Sequence, residues 1–207
     1  MLSRTGEIAG LVLAGGESRR MGGGHKFLLR LAGETMLERT VARLSPQVTS
    51  LAISANCDPE LLAGSTFPVL ADPPPGPRGP LSGLKSGLAW AAAQGVSHIV
   101  TVASDTPFFP EDLVLRLRDA APSSDAVVLA ASDGRVHPVF GLWPVSVAPV
   151  LNRFLQEEDA GNRMMDFVRR CEWTSVDFAL LDGDDPFFNI NTRDDLAEAE
   201  RRIREDT

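Results

Sequence analysis

Leu11-Val-Leu-Ala-Gly-Gly-Glu-Ser-Arg-Arg-Met-Gly-Gly-Gly-His-Lys26 decides how the rest of the chain is read. The apolar run Ile8 to Leu13 predicts a buried first strand, and glycine ends it abruptly. Gly15, Gly16, Gly22, Gly23 and Gly24 leave room for a ligand to lie directly against the main chain. Their amide N–H groups can form a concave donor surface for anions. Arg19, Arg20, His25, Lys26 and Arg30 add cationic side chains within the same span. The chemistry that fits is the binding of a polyphosphate; the plainer alternative is a flexible surface loop.

Two named phosphate motifs fail here. Walker A requires Ser or Thr after its lysine, and Lys26 is followed by Phe27; the G-x-G-x-x-G spacing is also absent. Outward from the loop, strands and helices alternate. Thr35-Met-Leu-Glu38 is a capping box opening a helix that Pro46 stops. Val48–Ser54 and Phe67–Ala71 predict strands. The run from Asp72 to Pro80 is too proline-rich for regular structure and reads as a functional loop. A helix over Leu81–Gln94 leads to the apolar strand His98–Ala103, and Pro110 opens another helix. Ala126–Ala131 and Val136–Trp143 pair through a Ser-Asp-Gly turn. Helical segments around 147–155 and 163–170, a strand near 174–178 and a last helix capped by Thr192 complete the chain.

This alternation predicts an α/β fold: one Rossmann-like domain over 1–207, with a mostly parallel sheet and helices on both faces. In such sheets ligands gather beyond the carboxyl ends of the strands. The segments starting at Ala14, Asn56, Asp72 and Asp105 all follow strands and are expected to share one crevice.

Composition narrows the function. The net charge of −8 disfavours nucleic acid as a partner, and the basic Arg19–Arg30 segment concentrates positive charge locally. No apolar run approaches the roughly 20 residues of a membrane helix. The first residues lack the layout of a secretory signal. Cys57 and Cys171 stand far apart without CxxC spacing, so no disulfide framework or zinc site is expected, and a cytoplasmic location is.

Asp105 ends the most apolar strand. A carboxylate there must reach solvent or a cation, which suits Mg²⁺ held by one carboxylate and phosphate oxygens; a helix-capping aspartate is the alternative. Lys26 is a point charge suited to phosphates, against the alternative of a solvated lysine. Asp72 can accept from the neighbouring N1–H and amine donors of guanine, a pair that cytosine lacks. It would therefore favour GTP over CTP, unless it merely initiates a turn. There is no G-x-S-x-G elbow and no cysteine–histidine nucleophile. An ionised phosphate nucleophile needs no strong base, so alignment and charge neutralisation can carry nucleotidyl transfer.

The glycine segment resembles the signature L-A-G-G-x-S-x-R-M-G-x-x-x-K of nucleotidyltransferases that build activated sugars and pterin cofactors. Within that superfamily the chain is most similar to the molybdenum cofactor guanylyltransferase family, nearly end to end. The resemblance implies transfer of GMP from GTP to molybdopterin, with Mg²⁺ as cofactor and release of pyrophosphate. It implies a guanosine site at Leu13, Ala14 and Gly15, joined by Asn56 and Asp72. Gly16 belongs to the phosphate loop, and Gly83 to a G-P-L-x-G segment that wraps the nucleotide. Lys26, Asp105 and Arg20 are expected to carry the transfer, with Asp105 holding the metal in the family's S-D-x-P context. His137, in a His-Pro motif, and Asn189 and Asn191, in Asn-Ile-Asn-Thr, fall on the acceptor side. The two asparagines, two apart, are expected on one side of a strand. Partners implied are molybdoenzymes or other cofactor-biosynthesis proteins. Where the family has aspartate before the lysine, this chain has His25. Sibling transferases using CTP, and a nucleotide-binding delivery protein, are the rival readings.

Overall fold

A computed structural model describes residues 8–15, 24–72, 79–157, 163–181 and 183–205. The strands are β1 (Ile8–Leu13), β2 (Arg30–Leu31), β3 (Glu34–Thr35), β4 (Ser50–Ser54), β5 (Val69–Leu70), β6 (His98–Ala103), β7 (Val127–Ser132), β8 (Arg135–Pro144) and β9 (Trp173–Asp177). The helices are α1 (Met36–Leu44), α2 (Pro80–Ala93), α3 (Leu113–Asp119), α4 (Ala148–Phe154), α5 (Met164–Val168) and α6 (Arg193–Glu205).

Among the described residues, seven strands form one sheet in the order β5-β4-β1-β6-β8-β7-β9. The pairs β5–β4, β4–β1, β1–β6 and β7–β9 are parallel; β8 runs antiparallel to both neighbours. The sheet is thus mostly parallel, as the alternation predicts. Strand β1 shows why its sequence is an unbroken apolar run. Ile8 and Val12 pack with α1 and α3 on one face, while Ala9 and Leu11 pack with α2, α4 and α5 on the other.

Two glycines let α2 lie close against the sheet. A Cβ at Gly87 would stand 2.4 Å from Leu11 Cδ2, and one at Gly83 would stand 2.6 Å from Leu13 Cδ2 and from Ser54 Oγ. The capping box of α1 forms as the sequence predicts: Thr35 Oγ1 accepts from Glu38 N, and Glu38 Oε2 accepts from Thr35 N. The helix after Pro110 starts later than expected, at Leu113. No helix among the described residues is long and apolar enough to cross a membrane.

The hairpin between β7 and β8 turns at Asp133 and Gly134, both at positive φ, as a tight two-residue turn requires. Its register then breaks. Leu129 pairs with Gly141 but Ala130 pairs with His137, so Pro138, Val139 and Phe140 leave the β7 ladder as a wide bulge. Proline has no N–H for a ladder, and a bulge is where a strand tolerates it. The carbonyl of Val139 accepts instead from Thr101 Oγ1 at 2.6 Å, and Trp143 Nε1 donates to the same hydroxyl at 2.9 Å.

Candidate active site

Four strands deliver their following residues to one edge of the sheet. Leu13 is aligned with Ser54 and Ala103, and Ser54 with Leu70. Backbone bonds then extend the ladder past the strand ends, from Ala14 N to Ser54 O, Ala55 N to Leu70 O and Ser104 N to Leu13 O. Ala14, Asn56, Asp72 and Asp105 therefore stand along one edge of the sheet, the edge expected from the alternation.

Lys26 enters this edge from a short 3-10 turn, Lys26–Leu28, anchored by the fully buried Phe27. Its side chain turns inward and is only 7% exposed as a residue. The ammonium donates to Asp105 Oδ2 and to Asn191 Oδ1, each at 2.6 Å, and makes a longer 3.4 Å contact with Asn189 Oδ1. The alternative of a solvated lysine is corrected: Lys26 is paired within the chain. It also needs no aspartate at position 25 to orient it. His25 instead lies 5.3 Å from the Phe27 ring, centre to centre.

Asn189 and Asn191 do face the same point, but not from a strand. Residues 185–192 form an irregular segment tied down by several bonds. Ile190 N donates to Asp105 O at 2.9 Å, and Asp195 Oδ2 accepts from Asn191 N and Thr192 N. Thr192 Oγ1 returns a bond to Asp195 N, the cap of α6 expected from the sequence. Burial would raise the Asp195 carboxyl, but these hydrogen bonds prevail and hold it below the ordinary carboxylate range. Shifting strand pairing to this loop does not separate the asparagines, because Lys26 gathers both.

Beyond the ends of β4 and β5, Asn56 and Asp72 are locked together. Asn56 Nδ2 donates to Asp72 Oδ2, and Asn56 Oδ1 accepts from Asp72 N at 2.9 Å. Asn56 thus holds the Asp72 carboxylate in place. Gly83 is buried in the first turn of α2, where helix–sheet contact already requires its missing side chain. Gly15 is exposed at the end of β1. Gly16, Arg19, Arg20, Gly22, Gly23 and the proline-rich run 73–78 lie outside the described residues.

Beyond Asn189 and Asn191 opens a cleft of about 390 Å³. The β8 bulge forms one wall, with Arg135 and His137 beside it, and Asp185, Phe187 and Phe188 form the other. His137 stacks on Phe187 with ring centres 4.6 Å apart. Burial lowers the His137 pKa below its ordinary value; Asp185 opposes the shift and Arg135 adds to it. Sequence reasoning placed His137 here but missed Ser132, Asp185 and the phenylalanines. Only the proximity of Asp185 to the Asn-Ile-Asn run hinted at it.

One ion pair, Lys26–Asp105, therefore sits where the parallel strand ends meet this cleft. Asp105, Asn189 and Asn191 surround that point with hard oxygen donors, the kind of set that accepts a hard cation. No cluster of three or more His, Cys, Asp or Glu able to hold a metal occurs among the described residues. A single carboxylate suits an ion that takes its other ligands from phosphate and water.

Comparison with known proteins agrees with this architecture. Residues 10–172 match the family model described as MobA-like NTP transferase domain. A molybdenum cofactor guanylyltransferase of Mesorhizobium japonicum is 49% identical, over 96% of this chain and 97% of its own. One of Cereibacter sphaeroides is 47% identical, over 96% and 98%. The crystal structure of molybdopterin-guanine dinucleotide biosynthesis protein A from Archaeoglobus fulgidus superposes with a TM-score of 0.74 at 22% identity, covering 95% of this chain and 99% of that one. The 4-diphosphocytidyl-2C-methyl-D-erythritol synthase of Anaerococcus prevotii gives 0.72 at 15%, covering 96% of each, and shares the fold.

Proposed function

This chain belongs to the MobA-like NTP transferase family and is a nucleotidyltransferase of molybdenum cofactor biosynthesis, and on that footing we propose that it transfers GMP from GTP to molybdopterin. The terminal phosphate of molybdopterin attacks the α-phosphate of GTP. A new P–O bond forms, the bond to the β-phosphate breaks, and pyrophosphate leaves. The observation that carries this reading is the Lys26–Asp105 pair at the boundary between strand-end crevice and cleft. GTP lies over the ends of β1, β4 and β5, with Leu13, Ala14, Gly15 and Gly16 against the nucleotide and Asp72 reading guanine. Molybdopterin takes the cleft, where His137, Asn189 and Asn191 meet it.

Lys26 neutralises charge on the phosphates from a fixed position. Asp105 and Asn191 already hold two of its three N–H donors, so little reorganisation accompanies the reaction. Arg20 adds a second cation. The attacking phosphate oxygen is ionised at neutral pH, so no general base is needed. Asp105 would hold Mg²⁺, which supplies further charge neutralisation when bound. Free Cys57 and Cys171 fit a reducing cytoplasm.

Incubation with Mg²⁺, GTP and molybdopterin, read by mass, tests the reading. The dinucleotide and pyrophosphate are expected together. Absence of both, or a clear preference for CTP over GTP, overturns it. Asp105→Ala is expected to abolish transfer with the fold retained by circular dichroism.

A further inference from the structure

The His137 imidazole is held on one face and at one edge. Phe187 covers one face, and Phe187 is itself packed against Phe140 and Phe178 at 4.9 and 5.4 Å. At the ring edge, Nε2 lies 2.7 Å from Ser132 Oγ. The same hydroxyl lies 2.8 Å from Asp185 Oδ1, which also accepts from Phe187 N at 2.9 Å. A serine hydroxyl has one proton, and a carboxylate can only accept. Ser132 therefore donates to Asp185, and its oxygen is left to accept the Nε2–H of His137. Among the described residues nothing bonds His137 Nδ1.

We propose that Ser132 and Asp185 are positioning residues for acceptor recognition: they fix the Nε2–H tautomer, so that His137 offers Nδ1 to the cleft as an acceptor. Its ligand is then an N–H or O–H donor on the molecule occupying the cleft. A pterin ring, with its amine and ring N–H groups, supplies such donors. This rests on the acceptor reading above. The depressed pKa of His137 agrees with a neutral ring, and Asp185 and Arg135 are the charged groups that act on it.

The geometry explains why neither residue stands out in the sequence. Ser132 ends β7, five residues before His137, and the tight turn at Asp133-Gly134 folds it back alongside. Asp185 arrives from the far end of the chain, in the segment that also carries Phe187, Asn189 and Asn191. One carboxylate thus ties the acceptor loop to the hairpin and sets the hydrogen-bonding sense of the histidine.

The test uses the full chain and two readouts. Long-range ¹H–¹⁵N NMR of the unliganded protein reports which ring nitrogen of His137 carries the proton. The Nε2–H form is expected in the wild type. In Asp185→Ala, Ser132 is free to donate to Nε2, and the proton is expected at Nδ1. Steady-state kinetics with Mg-GTP and molybdopterin gives the second readout. Ser132→Ala and Asp185→Ala are each expected to raise the KM for molybdopterin about tenfold, the loss of one well-placed hydrogen bond. The KM for GTP and kcat should stay within about twofold in Ser132→Ala, and Ser132→Ala/His137→Ala should be no worse than His137→Ala alone. An Nδ1–H wild-type ring, an unmoved molybdopterin KM in a folded variant, or additive losses in the double variant would overturn the assignment. If the wild type transfers nothing to molybdopterin, the proposed function fails, while the NMR still decides the tautomer.

Discussion

Lys26 is where one residue determines most. Its ammonium is buried against Asp105 and Asn191, so removing it unpairs a carboxylate and, under the proposed function, takes charge from the phosphates. Lys26→Ala is expected to lower GMP transfer by about 10²- to 10³-fold, the usual cost of losing one preorganised electrostatic contact. It should also cost up to about 3 kcal/mol in chemical denaturation, because a buried partner is left uncompensated. Lys26→Arg should recover stability better than turnover, since a planar fork cannot reproduce a point charge in this space. In the proposed guanine contact, Asn56 acts through Asp72. Asn56→Ala is expected to raise the KM for GTP about tenfold by releasing that carboxylate, with kcat little changed. Lys26, Asp105 and Asp72 stood out in the sequence because each adjoins a strong local signal: glycines before Lys26, an apolar strand before Asp105, a proline run after Asp72. The pairing of Lys26 with Asp105 did not, since residues 79 apart meet only through the order of the strands.

The elements place these residues with little slack. Helix α2 touches β1 through Gly87, and a methyl there would meet the buried Leu11 side chain. Gly87→Ala is expected to destabilise the protein by about 1–3 kcal/mol in urea unfolding, despite alanine's better helix propensity, because the clash outweighs it. The β8 bulge has its own support in Thr101, which satisfies both the Val139 carbonyl and the Trp143 indole. Thr101→Val leaves both without a partner, and about 1–3 kcal/mol of stability should go with them, together with a weaker grip on the acceptor. Period-2 apolar patterning located β8 but could not show the bulge. Its proline was the one local sign, and the register shift depends on side chains from β6. The segment carrying Asn189 and Asn191 failed as a strand for a similar reason. Asp185, Asp195 and the Asp105 carbonyl satisfy its backbone one bond at a time, without a ladder.

At the scale of the whole molecule, acid should weaken the fold before its carboxylates titrate. His98 and His137 both have pKa values lowered below 6.5, chiefly by burial. The unfolded chain therefore takes up these protons first. The stability they contribute is complete above about pH 6.5 and is lost as pH falls through the lowered folded values. Melting temperature should drop between pH 7.5 and 5.5, and His98→Gln should flatten that slope; a parallel slope in the variant would remove His98 as a cause. Topology was the most legible feature at this scale. Strand–helix alternation constrains handedness and strand direction so tightly that four loops had to meet at one edge. The cleft escaped the same logic, because its walls come from the bulge of the antiparallel β8 and from the irregular segment that carries Asp185 and Phe187. That division has a further consequence. The excursion of Pro138, Val139 and Phe140 leaves the β7 ladder, so no strand register constrains it there, although Phe140 stays in the core. Under the proposed function, the residues this excursion turns to the cleft can change with the acceptor while the parallel strand ends that hold the triphosphate are inherited unchanged.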